Sequence, residues 1–264
     1  MRLEVKRLNA WYGAAQILFD VGFEAGAGET VALVGRNGAG KTSVMRALTG
    51  TEGLRRAGSV SVDGAETLGL EPHELARLGV GLVPEGRRVF GELSVRENLD
   101  VAERRAATGG RSDGGRWPRK RVWEVFPMLE RVQTTKAKWL SGGEQQILTI
   151  ARALVSDPDV LLLDEPSEGL APKVVETLVD QLLTVQRSGL TIVLTEQHRG
   201  MVEALAGRAY ALEHGAIVWR GPPRELFERR SSPGLDDPPR GGSAPGRRGW
   251  HEPFWRGPRP IEEE

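Results

Sequence analysis

The feature that most constrains this chain is a glycine-rich loop followed by lysine and threonine, at residues 35–42. It reads Gly-Arg-Asn-Gly-Ala-Gly-Lys-Thr, which matches the whole pattern G-x-x-x-x-G-K-[ST]. A strand-like run at residues 30–34 precedes the loop, and a helical stretch at residues 43–48 follows it. A strand, a loop of this composition and a helix in this order predict a phosphate-binding loop.

The residue types in the loop suit a chain of phosphates. Glycines let backbone N–H groups turn inward, and the helix presents its positive end to the same anion. We expect Lys41 to reach the outer phosphates and the Thr42 hydroxyl to ligate Mg²⁺. A dinucleotide-binding pattern fails because it would need glycine where Ser43 stands, and a plain capping turn would need neither lysine nor hydroxyl. ATP and Mg²⁺ are therefore predicted to bind here, through Gly35, Arg36, Asn37, Gly38, Ala39, Gly40, Lys41, Thr42 and Ser43.

Composition excludes several other classes of protein. Of the 264 residues 39% are hydrophobic, enough for a core, and the formal net charge is +0. A neutral chain has no basic field to attract nucleic acid, so no nucleic-acid partner is expected. The lack of cysteine excludes disulfides and thiolate metal sites and fits a reducing compartment. Neither a secretory signal nor a membrane-spanning apolar run is recognisable in the sequence.

Short apolar runs alternate with helical stretches along most of the chain. Strands are predicted at 31–34, 60–62, 80–83, 160–163 and 191–194, and helices at 144–155 and 173–187. Strands that alternate with helices imply a parallel sheet covered on both faces. Between them, residues 106–115 are rich in Gly, Arg and Ser and are predicted to form an exposed loop.

The last segment, residues 231–264, differs in composition from the rest. Six glycines and seven prolines occur among its residues, and its positive and negative charges nearly cancel. This glycine and proline content is typical of low-complexity chain, so a disordered tail is predicted. A short docking segment around Trp250, Phe254 and Trp255 is the alternative.

Two adjacent acids, Asp164 and Glu165, directly follow the apolar run at 160–163. Buried parallel strands are nearly all apolar, and ligands bind beyond their carboxyl ends. We predict that Asp164 belongs to the Mg²⁺ shell and that Glu165 orients or deprotonates the attacking water. Two solvated acids in a turn before Pro166 are the alternative, which the phosphate loop in the same chain disfavours.

Residues 140–146, Leu-Ser-Gly-Gly-Glu-Gln-Gln, precede a predicted helix. Ser141 and Glu144 have the spacing of a capping box. A capping box does not require the two glycines, Gly142 and Gly143, which clear space for a ligand to approach backbone N–H groups. The segment is therefore predicted to be a helix cap and a second phosphate-reading element.

This segment resembles the signature sequence of ABC-type ATPases. The resemblance covers roughly residues 2–230 and includes Tyr12 in an adenine-stacking position and residues 167–170 as a subunit-contact loop. It implies an α/β fold, the P-loop NTPase of ABC type, with a mainly parallel sheet core, an N-terminal antiparallel β subdomain and a helical subdomain. The domain would take residues 1–230 and the helical subdomain about residues 86–155.

The resemblance also implies partners. Two ATPase subunits, identical or different, would form a head-to-tail dimer with ATP between the phosphate loop of one and the signature of the other. The signature residues expected at the partner's ATP are Ser141, Gly142, Gly143 and Glu144. Hydrolysis would move two membrane permease subunits. An extracytoplasmic substrate-binding protein would deliver the transported molecule to them. The chain would then be peripheral on the cytoplasmic face of the cell membrane, and nearly inactive as a monomer.

Two positions depart from the usual pattern of the family. Glu85 stands where most members have glutamine, and it is expected to ligate Mg²⁺ or water. Gln197 stands in place of the switch histidine, as a candidate catalytic residue that hydrogen-bonds the outer phosphate. His198 comes one residue later, and because a one-residue shift turns a side chain to the other face, we do not expect it to substitute.

Both departures resemble the second ATPase of branched-chain amino-acid importers, the LivF type. Its most specific part is the segment 84–90, Pro-Glu-Gly-Arg-Arg-Val-Phe. In such importers the segment faces the permease, so Arg87 and Phe90 are candidate coupling residues; alternatively Arg87 and Arg88 lie in a solvated loop. Importers of urea, short-chain amides or other amino acids use close relatives, and these substrates stay open.

Two other classes of protein fit the sequence less well. A non-transport ABC ATPase usually carries a coiled-coil insertion or two tandem halves, whereas this sequence has one phosphate loop, no heptad stretch and no basic stripe. A regulatory protein that binds ATP without hydrolysing it is disfavoured because Glu165, the expected base, is present.

Overall fold

The computed structural model of the chain describes residues 1–50, 53–108 and 115–231, with side chains for all of these but 104–108 and 229–231. The strands in these ranges are β1 (Leu3–Tyr12), β2 (Ala15–Ala25), β3 (Thr30–Val34), β4 (Leu54–Val62), β5 (Ala65–Glu66), β6 (Val80–Val83), β7 (Val160–Asp164), β8 (Thr191–Glu196), β9 (Arg208–Glu213) and β10 (Ala216–Gly221). The helices are α1 (Lys41–Thr49), α2 (Pro72–Arg77), α3 (Val95–Thr108), α4 (Arg119–Val125), α5 (Pro127–Arg131), α6 (Gly142–Leu154), α7 (Pro172–Gln186), α8 (Arg199–Leu205) and α9 (Pro223–Ser231), with a short 3₁₀ helix at Ala137–Trp139.

A six-stranded sheet forms the centre of the fold. Its order is β10-β9-β3-β8-β7-β6, parallel from β9 to β6, with β10 antiparallel at the edge. Every residue of β3, β7 and β8 is buried, because layers on both faces cover the middle of the sheet. The parallel sheet predicted from the alternation of strands and helices is confirmed.

A second, four-stranded sheet has the order β2-β1-β4-β5 and is antiparallel. One face is buried through Leu3, Val5, Leu8 and Ala10 of β1, in the period-two pattern of a half-buried strand, interrupted by a bulge. This face shares a hydrophobic cluster with β3 and α1. The expected antiparallel β layer at the N-terminal side is therefore confirmed.

Helices α3, α4, α5 and α6 cover the end of the central sheet that contains β6 and β7. Their buried side chains, among them Leu99, Phe126 and Ile147, belong to one cluster with Leu161 and Leu163 of β7. A helical layer is present where it was expected, but it shares its core with the sheet. Its limits as a subdomain, about residues 86–155, stay a prediction.

Two predicted boundaries were wrong. Helix α3 continues to Thr108, so residues 106–108 are helical rather than part of an exposed loop, because the two alanines at 106 and 107 favour helix propagation. Helix α9 includes Ser231, which therefore does not belong to the predicted tail. Residues 109–114 and 232–264, with Trp250, Phe254 and Trp255, lie outside the described residues. Within the described ranges, no helix has the length and apolar character needed to cross a bilayer.

Candidate active site

The phosphate loop joins β3 to α1, and its glycines are required by its geometry. Gly40 caps α1 with a φ of 108°, in the left-handed region, and no side chain caps the helix. At Gly35, an added Cβ atom would lie 2.5 Å from the carbonyl oxygen of Leu212. The loop can only be closed by residues without a Cβ at these two points, and it leaves the first N–H groups of α1 available to an anion.

Lys41 crosses the inside of this loop. Its side chain is 2% exposed, and its Nζ donates to the carbonyl oxygens of Gly35 and Arg36 at 2.8 and 3.0 Å. It also forms an ion pair with Glu165 Oε1 at 2.9 Å. A buried ammonium group is thus held at the centre of the loop, where the outer phosphates of a bound nucleotide were predicted.

Glu165 links the phosphate loop to the neighbouring strand end. Its backbone has a φ of 45°, uncommon for a residue other than glycine, and its N–H donates to Thr195 Oγ1 at 3.0 Å. Its Oε2 accepts from Gln197 Nε2 at 3.0 Å, and the same amide donates to Asn37 Oδ1 at 2.6 Å. The structure therefore brings Lys41, Glu165, Gln197 and Asn37 into one chain of contacts.

A second group of oxygens lies beside the start of α1. Thr42 Oγ1 is 3.4 Å from both Glu85 Oε2 and Asp164 Oδ1. Burial, together with the charges of Glu85 and Glu165, raises the pKa of Asp164, although a hydrogen bond from Thr195 at 2.6 Å lowers it. A cavity of about 320 Å³ opens beside these oxygens. The crowded negative charge suits a cation.

The donor set fits Mg²⁺ rather than a metal held by protein alone. No group of three or more His, Cys, Asp or Glu side chains able to hold a metal occurs in the described part of the chain. Mg²⁺ is usually bound by one or two carboxylates together with substrate phosphates and water. Thr42, Glu85 and Asp164 are the residues that would hold it.

The signature segment is a helix cap, as predicted. Ser141 Oγ accepts from Glu144 N at 3.3 Å, and Ser141 N donates to Glu144 Oε2 at 2.7 Å, so the capping box is complete. None of the hydrogen bonds made by the described residues joins this segment to the phosphate loop of the same chain. One chain therefore presents two separate candidate phosphate-binding elements.

Two other residues from the sequence predictions have defined positions. Tyr12 ends β1 and is 38% exposed, and its hydroxyl accepts from Arg46 Nη1 of α1 at 3.0 Å. The ring is thus fixed near the phosphate loop, while adenine stacking stays a prediction. His198 caps α8, with Nδ1 accepting from Met201 N at 3.2 Å, and takes no part in the contacts around Glu165.

The segment 84–90 is not a simple solvated loop. Arg87 is partly buried and donates through Nη2 to the carbonyl oxygens of Glu168 and Gly169, at 3.1 and 2.8 Å. The alternative of a solvated side chain is wrong for Arg87, whereas Arg88 is exposed. Phe90 is 47% exposed, with the guanidinium of Arg152 over its ring at 4.7 Å.

Sequence reasoning missed two residues of the site. Thr195 supports both acids, since it donates to Asp164 and accepts from the backbone of Glu165. Glu196 is buried and accepts from the N–H groups of Gln197, His198 and Ser167 at 2.7, 2.9 and 3.3 Å. The available signal was a second pair of polar residues at the end of an apolar run, like the acid pair at the end of β7.

Comparison with known families gives the relationship of the chain. The profile of one family, described as ABC transporter, matches residues 18–168, more than half of the chain. The chain belongs to the ABC transporter family. It is an ATP-binding subunit of that family, whose activity is ATP hydrolysis coupled to transport.

Individual relatives agree with this membership. This ABC subunit is 41% identical over 219 residues to the high-affinity branched-chain amino acid transport ATP-binding protein BraG of Pseudomonas aeruginosa, covering 82% of this chain and 91% of the relative. It is 35% identical over 230 residues to a probable branched-chain amino acid transport ATP-binding protein, LivF, of Archaeoglobus fulgidus, covering 86% and 94%. The predicted family is confirmed, and both proteins match over nearly their whole lengths.

Solved structures give the same fold. An ATP-binding subunit of an ABC transporter superposes with a TM-score of 0.73 at 29% identity, over 88% of this chain and 95% of that one. A dimeric ATP-binding cassette in a post-hydrolysis state, bound to ADP and Pi, superposes with a TM-score of 0.71 at 26% identity, over 84% and 99%. The predicted fold class, a P-loop NTPase of ABC type, is therefore confirmed.

Proposed function

We propose that this ABC subunit hydrolyses MgATP in a head-to-tail dimer and couples hydrolysis to the import of branched-chain amino acids. The observation that supports this choice of substrate is the 41% identity to BraG, together with the 35% identity to LivF. The replacement of the usual glutamine and histidine by Glu85 and Gln197 points the same way.

The phosphate loop supplies the binding step. Backbone N–H groups at the start of α1 and the ammonium group of Lys41 receive the phosphates of ATP. The three protons of Lys41 Nζ are taken by the carbonyl oxygens of Gly35 and Arg36 and by Glu165, so a phosphate has to replace one of these partners. Glu165 is the partner that leaves, because its carboxylate and the phosphate repel each other. ATP binding therefore releases the Glu165 carboxylate into the site.

Glu165, once released, is the residue that orients or deprotonates the attacking water. Gln197 lies within hydrogen-bond distance of Glu165 and Asn37, and its amide donates to the outer phosphate without a change of charge. Thr42, Glu85 and Asp164 hold Mg²⁺, which when bound neutralises charge on the outer phosphates. Thr195 keeps Asp164 and Glu165 in place.

The second half of the reaction site comes from a partner subunit. No hydrogen bond of the described residues joins the signature to the phosphate loop of the same chain. Ser141, Gly142, Gly143 and Glu144 therefore serve the ATP of another subunit, and Tyr12 stacks on the adenine of its own. The dimer acts on two permease subunits, with a substrate-binding protein on the other side of the membrane. The subunit then lies at the cytoplasmic face.

Uptake measurements test the transported substrate. Deleting the gene should abolish uptake of radiolabelled leucine, isoleucine and valine, and leave uptake of arginine and urea unchanged. The wild-type gene and a surface variant, Asp180→Asn on α7, should both restore uptake, whereas Glu165→Gln should not. If arginine or urea uptake is lost while leucine uptake stays normal, the proposed substrate is wrong. The function as a transport ATPase would still hold.

A further inference from the structure

Arg87 lies where three segments that are distant in sequence meet. It belongs to the segment 84–90 that follows β6 and contains Glu85. Its Nη2 donates to the carbonyl oxygens of Glu168 and Gly169, in the segment 167–170 that follows β7. The third segment is the signature, where Gly142 packs directly against the guanidinium group.

The two glycines beside Arg87 are matched to its side chain. An added Cβ atom at Gly142 would overlap Arg87 Nη1, and one at Gly169 would lie 2.9 Å from Nη2. In the proposed function, Gly142 leaves space for a phosphate to approach. The contact gives a second reason for glycine at this position, because any larger residue would displace the guanidinium.

The backbone of Arg87 is held in an unfavourable conformation. Its φ is 49°, in the left-handed region, and it follows Gly86 at 91°. Such a conformation in a residue with a long side chain persists only where the surroundings fix it. Here the fixing contacts are the two charge-assisted hydrogen bonds and the packing against Gly142.

We propose that Arg87 is a positioning residue that fixes the signature and the segment 167–170 relative to the loop containing Glu85. The proposal rests on the dimeric ATPase function given above. Glu85 lies beside Thr42 at the chain's own nucleotide site, while the signature serves the site of the partner. Arg87 thus sets how far the partner-facing elements stand from the chain's own site.

A planar guanidinium is needed for this role. It donates through Nη2 to two neighbouring carbonyls while its Nη1 lies against Gly142, which a lysine ammonium on a flexible stem cannot reproduce. Displacement of a group by about 1 Å can cost about 100-fold in rate. Loss of Arg87 should therefore lower turnover of the dimer without weakening nucleotide binding by one chain.

The test uses the full-length chain with Arg87→Ala, Arg87→Lys and a control, Arg131→Ala, an exposed arginine at the end of α5. A fluorescent ATP analogue with Mg²⁺ measures affinity in dilute protein, and phosphate release measures turnover against protein concentration. Arg87→Ala should keep its affinity within about twofold and lose at least about tenfold in turnover. Arg87→Lys should fall between Arg87→Ala and wild type, and Arg131→Ala should match wild type.

A double-mutant cycle with Gly142→Ala checks the contact itself. Gly142→Ala should lower turnover less in the Arg87→Ala background than in wild type, because the guanidinium that it displaces is already absent. If the losses of turnover in the two single variants add up in the double variant, the contact between Arg87 and Gly142 is not their cause. The proposal is also wrong if Arg87→Ala keeps wild-type turnover, or if its affinity and melting temperature fall in parallel with turnover.

Failure of the positioning role and failure of the proposed function give different results. If wild type hydrolyses ATP and Glu165→Gln does not, but Arg87→Ala is normal, only the positioning role fails. If wild type itself shows no hydrolysis at any protein concentration, the proposed function fails.

Discussion

The two ends of the central parallel sheet use charged side chains in opposite ways. At the amino ends of the strands, Arg208 of β9 pairs with Glu29 at 2.8 Å and with Glu24 at 3.1 Å. Although burial alone would lower the pKa of Arg208, its hydrogen bonds to Glu29 and Glu24 raise it. Positive and negative groups at this end satisfy one another within the chain.

At the carboxyl ends, acids crowd together around Lys41. Asp164, Glu165, Glu85 and Glu168 lie close enough to affect one another, and only Glu165 pairs with the lysine. Burial, then the hydrogen bond and charge of Glu85, raises the pKa of Glu168, although Arg87 lowers it. Charge at this end is left unbalanced by the described residues.

Two residues at the carboxyl end of the sheet also have an unfavourable backbone conformation. Glu165 and Arg87, both at the carboxyl side, have positive φ values of 45° and 49°. Unbalanced charge and unfavourable backbone both cost stability, and such features concentrate where a ligand is bound. The amino end therefore stabilises the fold, whereas the carboxyl end is arranged for a nucleotide and a cation that complete it.

Among the variants that test this contrast, Glu165→Gln at the carboxyl end should have the largest effect. Turnover should fall by at least about 100-fold, because a general base contributes roughly 10²–10⁴-fold to rate. Binding of MgATP should be retained, since the phosphate loop is unchanged. Phosphate release and equilibrium binding measure the two effects; unchanged turnover would remove Glu165 from its proposed role.

Asp164→Asn should separate function from stability at the same end. The amide keeps the shape and the acceptor for Thr195 but removes a buried charge. The nucleotide-free protein should gain about 1 kcal/mol in free energy of unfolding, while turnover falls about tenfold. The control Asp180→Asn should change neither.

The gain should depend on pH in a defined direction. Because the pKa of Asp164 is raised in the folded state, its ionisation destabilises the fold, fully so above the folded pKa. The advantage of Asp164→Asn should therefore shrink as pH falls and vanish below the unfolded pKa of aspartate. Denaturant unfolding at several pH values measures this, and a gain independent of pH would contradict the explanation.

Arg208→Ala, at the amino end, should lower stability and leave turnover unchanged. Removing the guanidinium takes away the cation paired with Glu29, whereas Glu24 keeps its ion pair with Arg2, and these ion pairs are partly exposed and screened. The free energy of unfolding should fall by about 1 kcal/mol, with turnover unchanged. A loss of turnover without loss of stability would mean that the two ends are not separate in function.

The smallest effect is expected for His198→Ala. Loss of the cap on α8 should lower the free energy of unfolding by about 0.5–1 kcal/mol. Turnover should stay at the wild-type level, because Gln197 and not His198 contacts Glu165. A large loss of turnover in a folded variant would restore His198 as the residue that reads the outer phosphate.

The patterns that the sequence determined by itself are local ones. The phosphate loop, the capping box at Ser141 and Glu144, and the acids at the end of β7 each depend on a few neighbouring residues. Such patterns are visible in sequence because turn geometry and helix capping act over short distances. The same holds for the buried strands, whereas the loop and tail boundaries predicted from composition were wrong at residues 106–108 and at Ser231.

Contacts across the sheet were decided by tertiary structure alone. Thr195 reaches Asp164 because β8 lies beside β7. Lys41, after β3, reaches Glu165, after β7, because only β8 separates these two strands in the sheet. The order of strands in a sheet cannot be predicted from the local periodicity of the sequence. It follows from how helices pack on the sheet, so the partners of these residues could not be read from the sequence.

Arg87 shows the difference most clearly. The sequence identified it as a residue of a specific segment, facing either a permease or solvent. Only the fold shows that it faces Gly142 and the carbonyls of Glu168 and Gly169, because the segments after β6 and β7 meet at the carboxyl edge of the sheet. Residue types and short spacings determined the chemistry of this protein, and packing between distant segments decided which groups act together.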